Sequence, residues 1–102
     1  LDGIWTNLED KMRLASDSGR IILPYTGKQV NSVTGGEANL EILLDGKQIP
    51  TESAGSDVST KGQVHTHYSG LYNIIKTKES EQHILEIIVN DSEFEIFTFT
   101  FG

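Results

Sequence analysis

The last nine residues of the chain, Phe94-Glu-Ile-Phe-Thr-Phe-Thr-Phe-Gly102, alternate apolar and polar side chains. Successive side chains of an extended strand point to opposite faces, so the alternation predicts Phe97, Phe99 and Phe101 on one face. Three aromatic rings on one face need a core to cover them. The C-terminal segment is therefore predicted to be a strand inside a sheet, and Phe99→Ala should cost roughly 3 to 5 kcal/mol.

Alternation of the same kind recurs in short blocks separated by turn residues, at a spacing of roughly ten residues. The predicted strands are 20–25, 29–34, 38–44, 63–68, 71–77, 83–90 and 94–101, with 3–7 as a further edge strand. Turns are predicted at Gly35-Gly36, Asp45-Gly46 and Asn90-Asp91-Ser92, and a surface loop at 50–62.

Residues 8–15 fit two interpretations. Leu8, Met12 and Ala15 have helical spacing behind a possible cap at Asn7, whereas Met12 and Leu14 alternate with charged neighbours as in a strand. The sequence leaves helix and strand open here.

About eight antiparallel strands with connections too short for crossover helices predict two stacked sheets. The expected fold is all-β, a jelly-roll-like antiparallel β-sandwich. A chain of 102 residues has room for one domain, 1–102, which we expect to be a piece of a larger protein.

The charge balance excludes several kinds of partner. Fifteen acidic and eight basic residues give a net charge of -7, which repels nucleic acids and anionic membrane surfaces. Cysteine is absent, so thiol redox chemistry within these residues is excluded. The sequence also has no apolar run of about 18 residues that would insert into a membrane.

Motifs for catalysis and cofactor binding are weak. His65 and His67 share one face of a predicted strand, the spacing at which two imidazoles bind one metal, but a solvated strand face explains them more simply. Asp45, Asp57 and Asp91 lie in predicted turns and could serve a structural calcium, although turn formation alone explains them. We predict no cofactor, no metal and no enzymatic activity.

Aromatic residues outside the core would be the best indication of sugar binding, because a flat ring packs against the C–H groups of a pyranose. The candidates for a ligand-binding platform are Trp5, Tyr25, Tyr68 and Tyr72. Trp5 is the sole tryptophan, and closing one edge of the core is its simpler role.

Several segments together resemble a known family. They are Ile22 to Asn31, Leu40 to Lys47, Gly70 to Ile75, His83 to Ile87 and the closing Phe97-Thr-Phe-Thr-Phe-Gly102. The chain resembles the C-terminal domain of DipZ-type thioredoxin-like proteins, a β-sandwich described as carbohydrate-binding-module-like that follows a thioredoxin fold.

The resemblance implies a non-catalytic accessory domain of an extracytoplasmic thiol-disulfide protein. One hypothesis is that it binds glycan. The alternative is an interaction module that packs on the thioredoxin-fold domain of the same chain without binding sugar. Aromatic rings gathered on one sheet would favour the first hypothesis, and a flat apolar patch the second.

Overall fold

The computed structural model describes residues 2–67 and 69–102. These residues form eight strands and one short 3-10 helix, Thr51–Ser53. The strands are β1 (Trp5–Asn7), β2 (Met12–Leu14), β3 (Gly19–Gly35), β4 (Ala38–Leu44), β5 (Lys47–Gln48), β6 (Gln63–Thr66), β7 (Gly70–Val89) and β8 (Glu95–Phe101). The predicted all-β class and the number of strands are confirmed.

The described strands pair in one antiparallel sheet with the order β1-β2-β8-β3-β7-β4-β5, and β6 pairs with β4 beside β5. The two separate sheets of a jelly-roll sandwich are therefore not confirmed. The sheet is held together by β3 and β7, which have 17 and 20 residues and pair along nearly their whole length.

The prediction that 20–25 and 29–34 are two strands is wrong, because both lie in β3. The predicted strands 71–77 and 83–90 are likewise joined in β7. The register provides the reason. Between the pairs Gly27–Glu81 and Gln29–Lys76, β7 has residues 77–80 opposite Lys28 alone. The polar residues between the two predicted strands therefore form a bulge within one continuous strand.

The core lies on the inner face of this sheet and contains aliphatic side chains from all of the longer strands. Phe94 is its largest fully buried side chain, at 1% exposure. Ile42, Ile74, Ile75 and Leu85 are also essentially inaccessible to solvent. The alternation of buried and exposed residues in β4 agrees with the period-2 pattern of its sequence.

The C-terminal strand is confirmed, but its three aromatic rings do not share one face. Opposite β3, the register shifts from Val33–Thr98 to Thr34–Ile96, so Phe97 is an extra residue. Residues paired across antiparallel strands point to the same side, which places Ile96 with buried Thr34 on the inner face.

The shift sends Phe97 outward, where the Lys11 ammonium lies 5.2 Å from its ring centroid. Phe99 is half-buried against the core, and Phe101 is 52% exposed. The prediction that the three rings share one face is therefore wrong, because a bulge changes the face on which side chains lie.

The turns agree with their sequence signals. Asp45 and Gly46 have φ values of 53° and 84°, which is the signature of a type I′ hairpin turn. In segment 8–15, for which the sequence left helix and strand open, residues 12–14 form strand β2, which pairs with β1 from Trp5–Leu14 to Asn7–Met12, and residues 9 and 10 form a bend. The loop 50–62 is confirmed and contains a 3-10 turn, an isolated bridge from Ala54 to Ile75 and two further turns.

Candidate functional site

The aromatic residues predicted to bind sugar are separated in the structure. Trp5 lies on edge strand β1, half-buried, and its Nε1 donates a hydrogen bond to the Asp2 carbonyl oxygen at 2.8 Å. A side chain at Gly19 would meet Leu14 and the Trp5 ring, so the indole covers this end of the core. Tyr25 lies six residues beyond Gly19 on β3, which corresponds to a strand length of roughly 20 Å from Gly19 to Tyr25.

Tyr25 is 7% exposed and therefore belongs to the core. Burial, with the nearby charges of Asp45 and Glu81, raises the pKa of its phenol to about 12. Tyr72 is half-buried against the core, and its hydroxyl accepts a hydrogen bond from the His67 backbone at 3.3 Å. Tyr68 lies outside the described residues.

The outer face of β3, β7 and β4 carries aliphatic residues at its centre. The register places Ile22 and Pro24 of β3 on the same side as Ile84 and Ile88 of β7 and Leu43 of β4. Ile22 and Ile84 are 47% and 50% exposed. We call this set, Ile22, Pro24, Leu43, Ile84 and Ile88, the outer apolar face.

Two charged groups lie within the outer apolar face. Glu86 of β7 pairs with Ile22 of β3 and with Leu43 of β4, and Arg20 Nε lies 3.2 Å from its Oε2. Exposed aliphatic side chains around one ion pair are a composition that occurs in protein interaction surfaces.

The first described residue, Asp2, lies beside this face. Its backbone exchanges two hydrogen bonds of 2.9 Å with Arg20 of β3. A cleft of about 440 Å³ opens there, lined by Asp2, Arg20 and Ile88 among others. A segment that precedes Asp2 in a longer chain would therefore emerge next to the outer apolar face.

A histidine with two carboxylates stands at the β4–β5 turn. His83 Nδ1 lies 2.5 Å from Asp45 Oδ2, and His83 Nε2 lies 2.7 Å from Glu81 Oε1. The hydrogen bond with Glu81, followed by that with Asp45, raises the pKa of His83. The hydrogen bond from the Ile84 backbone, followed by that with His83, lowers the pKa of Asp45. Both ring nitrogens are engaged, so the arrangement fixes a turn and leaves no free imidazole nitrogen for proton transfer.

A second histidine cluster lies at the other end of β4. Glu37, His65 and His67 are all exposed, and one ligand atom from each lies within 4.8 Å of the others. The His65 and His67 rings are 4.2 Å apart between centroids. The sequence indicated the two histidines, whereas Glu37 joins them through the pairing of β4 with β6, which local spacing does not reveal.

The three turn aspartates lie at separate places. Asp45 caps the β4–β5 turn, Asp57 Oδ2 accepts a hydrogen bond from the Asn73 backbone at 2.7 Å, and Asp91 Oδ2 accepts one from the Asn39 backbone at 2.9 Å. Each carboxylate thus binds backbone amides of the neighbouring strand, which is a structural role.

The fold and these surfaces define the chain as a small antiparallel β-domain with an apolar outer sheet face. Its sequence matches the family described as "Thioredoxin like C-terminal domain" over residues 1–102, and the chain belongs to that family. No curated protein matches it. In the described part of the chain, no helix has the length and hydrophobicity needed to cross a bilayer.

Proposed function

We propose that this chain is a non-catalytic accessory domain of an extracytoplasmic thioredoxin-like thiol-disulfide protein, and that its outer apolar face packs on the thioredoxin-fold domain of the same polypeptide. The observation that carries the proposal is the half-exposure of Ile22 and Ile84 at the centre of a regular three-stranded surface.

Covering this face would be favourable. Full burial of an isoleucine side chain contributes about 1.5 to 3 kcal/mol relative to full exposure, so completing the burial of two half-exposed isoleucines gives roughly 1.5 to 3 kcal/mol in total. Arg20 and Glu86 form an ion pair within this surface. A partner that covers the face would therefore leave neither of these two charges unpaired.

Position supports the neighbouring domain as the partner. The family description, "Thioredoxin like C-terminal domain", supports a position that follows a thioredoxin-fold domain. Asp2 is hydrogen-bonded to Arg20 at the border of the outer apolar face, so a preceding domain would be tethered a short distance from it. Tethering raises the effective concentration of the two surfaces and lets a modest interface remain closed.

Glycan binding, which the resemblance also implies, is the second candidate. Its support is the partial exposure of Trp5 and Tyr72. The separation of Trp5 from Tyr25 argues against a single aromatic platform built from these two residues.

Calorimetric titration of the isolated chain with the separately produced thioredoxin-fold domain of its parent polypeptide tests the proposal. We expect saturable binding that Ile22→Ser weakens strongly. Leu71→Ser is the matched control, because Leu71 is 58% exposed on β7 but pairs with Val33, away from the outer apolar face.

Absence of binding between the wild-type domains, or equal weakening by the two variants, would contradict docking through this face. A glycan array probed in parallel separates the second candidate. A saturable glycan signal that Trp5→Ala abolishes would support sugar binding instead.

A further inference from the structure

Beyond this docking role, we propose that Glu37, His65 and His67 form a binding site for one divalent transition-metal ion of the Zn²⁺ type on the β4–β6 edge. Two imidazole nitrogens and one carboxylate oxygen are a common ligand set for such ions. One ligand atom from each of the three residues already lies within 4.8 Å of the other two.

The strand geometry places the ligands. His65 and His67 are exposed, whereas Val64 and Thr66 between and beside them are buried, so the two imidazoles project to the same side. Glu37 and His67 each lie one residue beyond the last pair of β4 with β6, Ala38–Thr66, which brings them near one another. Ligand atoms bound to a tetrahedral ion at about 2.1 Å are roughly 3.4 Å apart, so side-chain rotations that move the ligand atoms by about 1 Å would close the site.

Asn39 fixes the tautomer of His65, one of the three ligands. Its Oδ1 lies 2.6 Å from His65 Nδ1, and an amide oxygen can only accept, so Nδ1 of a neutral ring must carry the proton. The lone pair is then on Nε2, free for a metal. A hydrogen bond of this kind to the second ring nitrogen is typical of metal-binding histidines.

The backbone around Glu37 is fixed from the inside of the sheet. Thr66 is buried, and its Oγ1 donates a hydrogen bond of 2.9 Å to the Gly36 carbonyl oxygen. Gly36 has a φ of +89°, a conformation that favours glycine and turns the chain into β4. The segment that carries Glu37 is therefore held against the strand that carries His65.

The three ligands leave at least one coordination position open to solvent. A cleft of about 390 Å³ adjoins His65 and Asn39, and apart from Val58 its other lining residues are polar, including Asp57 and Gln63. A water molecule or a small anionic ligand could complete the coordination of the bound ion there.

The test is titration of the untagged chain with ZnCl₂ and CoCl₂ at pH 7.5, by calorimetry and by the visible spectrum of Co²⁺. We expect one equivalent of Zn²⁺ to bind with a dissociation constant below about 100 µM. His65→Ala and His67→Ala should each weaken binding at least about tenfold, and Glu37→Gln should also weaken it. Zinc should raise the melting temperature of the wild-type chain but not that of the His67→Ala variant.

Controls separate the site from general surface binding. His83→Gln and Glu79→Gln remove an imidazole and a carboxylate elsewhere and should leave Zn²⁺ affinity unchanged. Asn39→Leu should weaken binding about tenfold, whereas Asn39→Asp, which retains the acceptor for His65 Nδ1, should preserve it. Circular dichroism establishes that each variant is folded.

The proposal is overturned if the wild-type chain shows no saturable Zn²⁺ binding. It is equally overturned if folded His65→Ala and His67→Ala variants bind Zn²⁺ as the wild type does.

Discussion

His83 Nδ1 lies 2.5 Å from Asp45 Oδ2, which joins strand β7 to the hairpin turn between β4 and β5. The same carboxylate accepts the Ile84 backbone N–H through Oδ1 at 2.8 Å. Asp45 also has a positive φ of 53°. The turn is therefore held in its left-handed conformation by contacts with β7, and these contacts involve two titratable groups.

The raised pKa of His83 predicts a loss of stability at alkaline pH. Its stabilising effect is fully present below the unfolded value of about 6.5 and disappears as the pH rises through the folded value. The melting temperature should therefore fall across this interval. His83→Gln should remove that fall, whereas His67→Gln, measured with chelator, should retain it. An unchanged pH profile in His83→Gln would contradict the assignment.

The lowered pKa of Glu95 predicts that the domain loses stability as the pH falls, in the opposite direction to the effect of His83. Hydrogen bonds from Arg13, at 2.7 and 2.9 Å, are the main cause of the lowered pKa of Glu95, and Lys11 adds to it. Its contribution is present above the unfolded value and is lost as the pH falls through the folded one.

Glu95→Gln should therefore cost about 1 to 2 kcal/mol at pH 7 and flatten the stability profile at acid pH. Exposed Glu79→Gln serves as the control. Urea unfolding at several pH values measures both variants, and equal effects of the two substitutions would count against the Arg13–Glu95 pair.

Position in the sheet predicts unequal roles for the C-terminal phenylalanines. Phe94→Ala should cost roughly 3 to 5 kcal/mol, because it would leave a cavity in the core. Phe101→Ala should cost under about 1 kcal/mol, since the ring is half in solvent. Phe99, half-buried, should lie between them. Denaturant titrations that rank Phe101 above Phe94 would refute the described register.

Replacing Tyr25 by phenylalanine should leave the stability of the domain unchanged or increase it. The Tyr25 hydroxyl is buried, and within residues 2–67 and 69–102 it has no hydrogen-bond partner. Tyr25→Phe removes a buried polar atom and keeps the ring, so the free energy of unfolding should stay the same or rise. A loss above about 1 kcal/mol would mean that the hydroxyl has a partner.

The sequence was most informative where one local rule decides the structure. Asp45-Gly46 predicted its hairpin because a type I′ turn needs two positive φ values. The alternation in β4 predicted its buried face because successive side chains of a strand point to opposite sides. Local rules failed at Gly27 and Phe97, where bulges are set by pairing with a distant strand. Period-2 patterns cannot reveal such shifts.

The candidate sites show the same limit. His65 and His67 could be found from their spacing, but Glu37 comes from a strand partner nearly thirty residues away. The outer apolar face could not be predicted from the sequence for a related reason. Ile22 and Ile84 are apolar residues in predicted strands, and only the register shows that they share the outer side of the sheet.

Methyl NMR of the isolated chain, compared with the same domain joined to its thioredoxin-fold neighbour, tests the central claim most directly. Docking through the outer apolar face predicts shifted δ1-methyl resonances for Ile22, Ile84 and Ile88, with the methyl groups of Leu71 unchanged. Identical isoleucine spectra in the two proteins would show that the neighbour does not cover this face and would contradict the account.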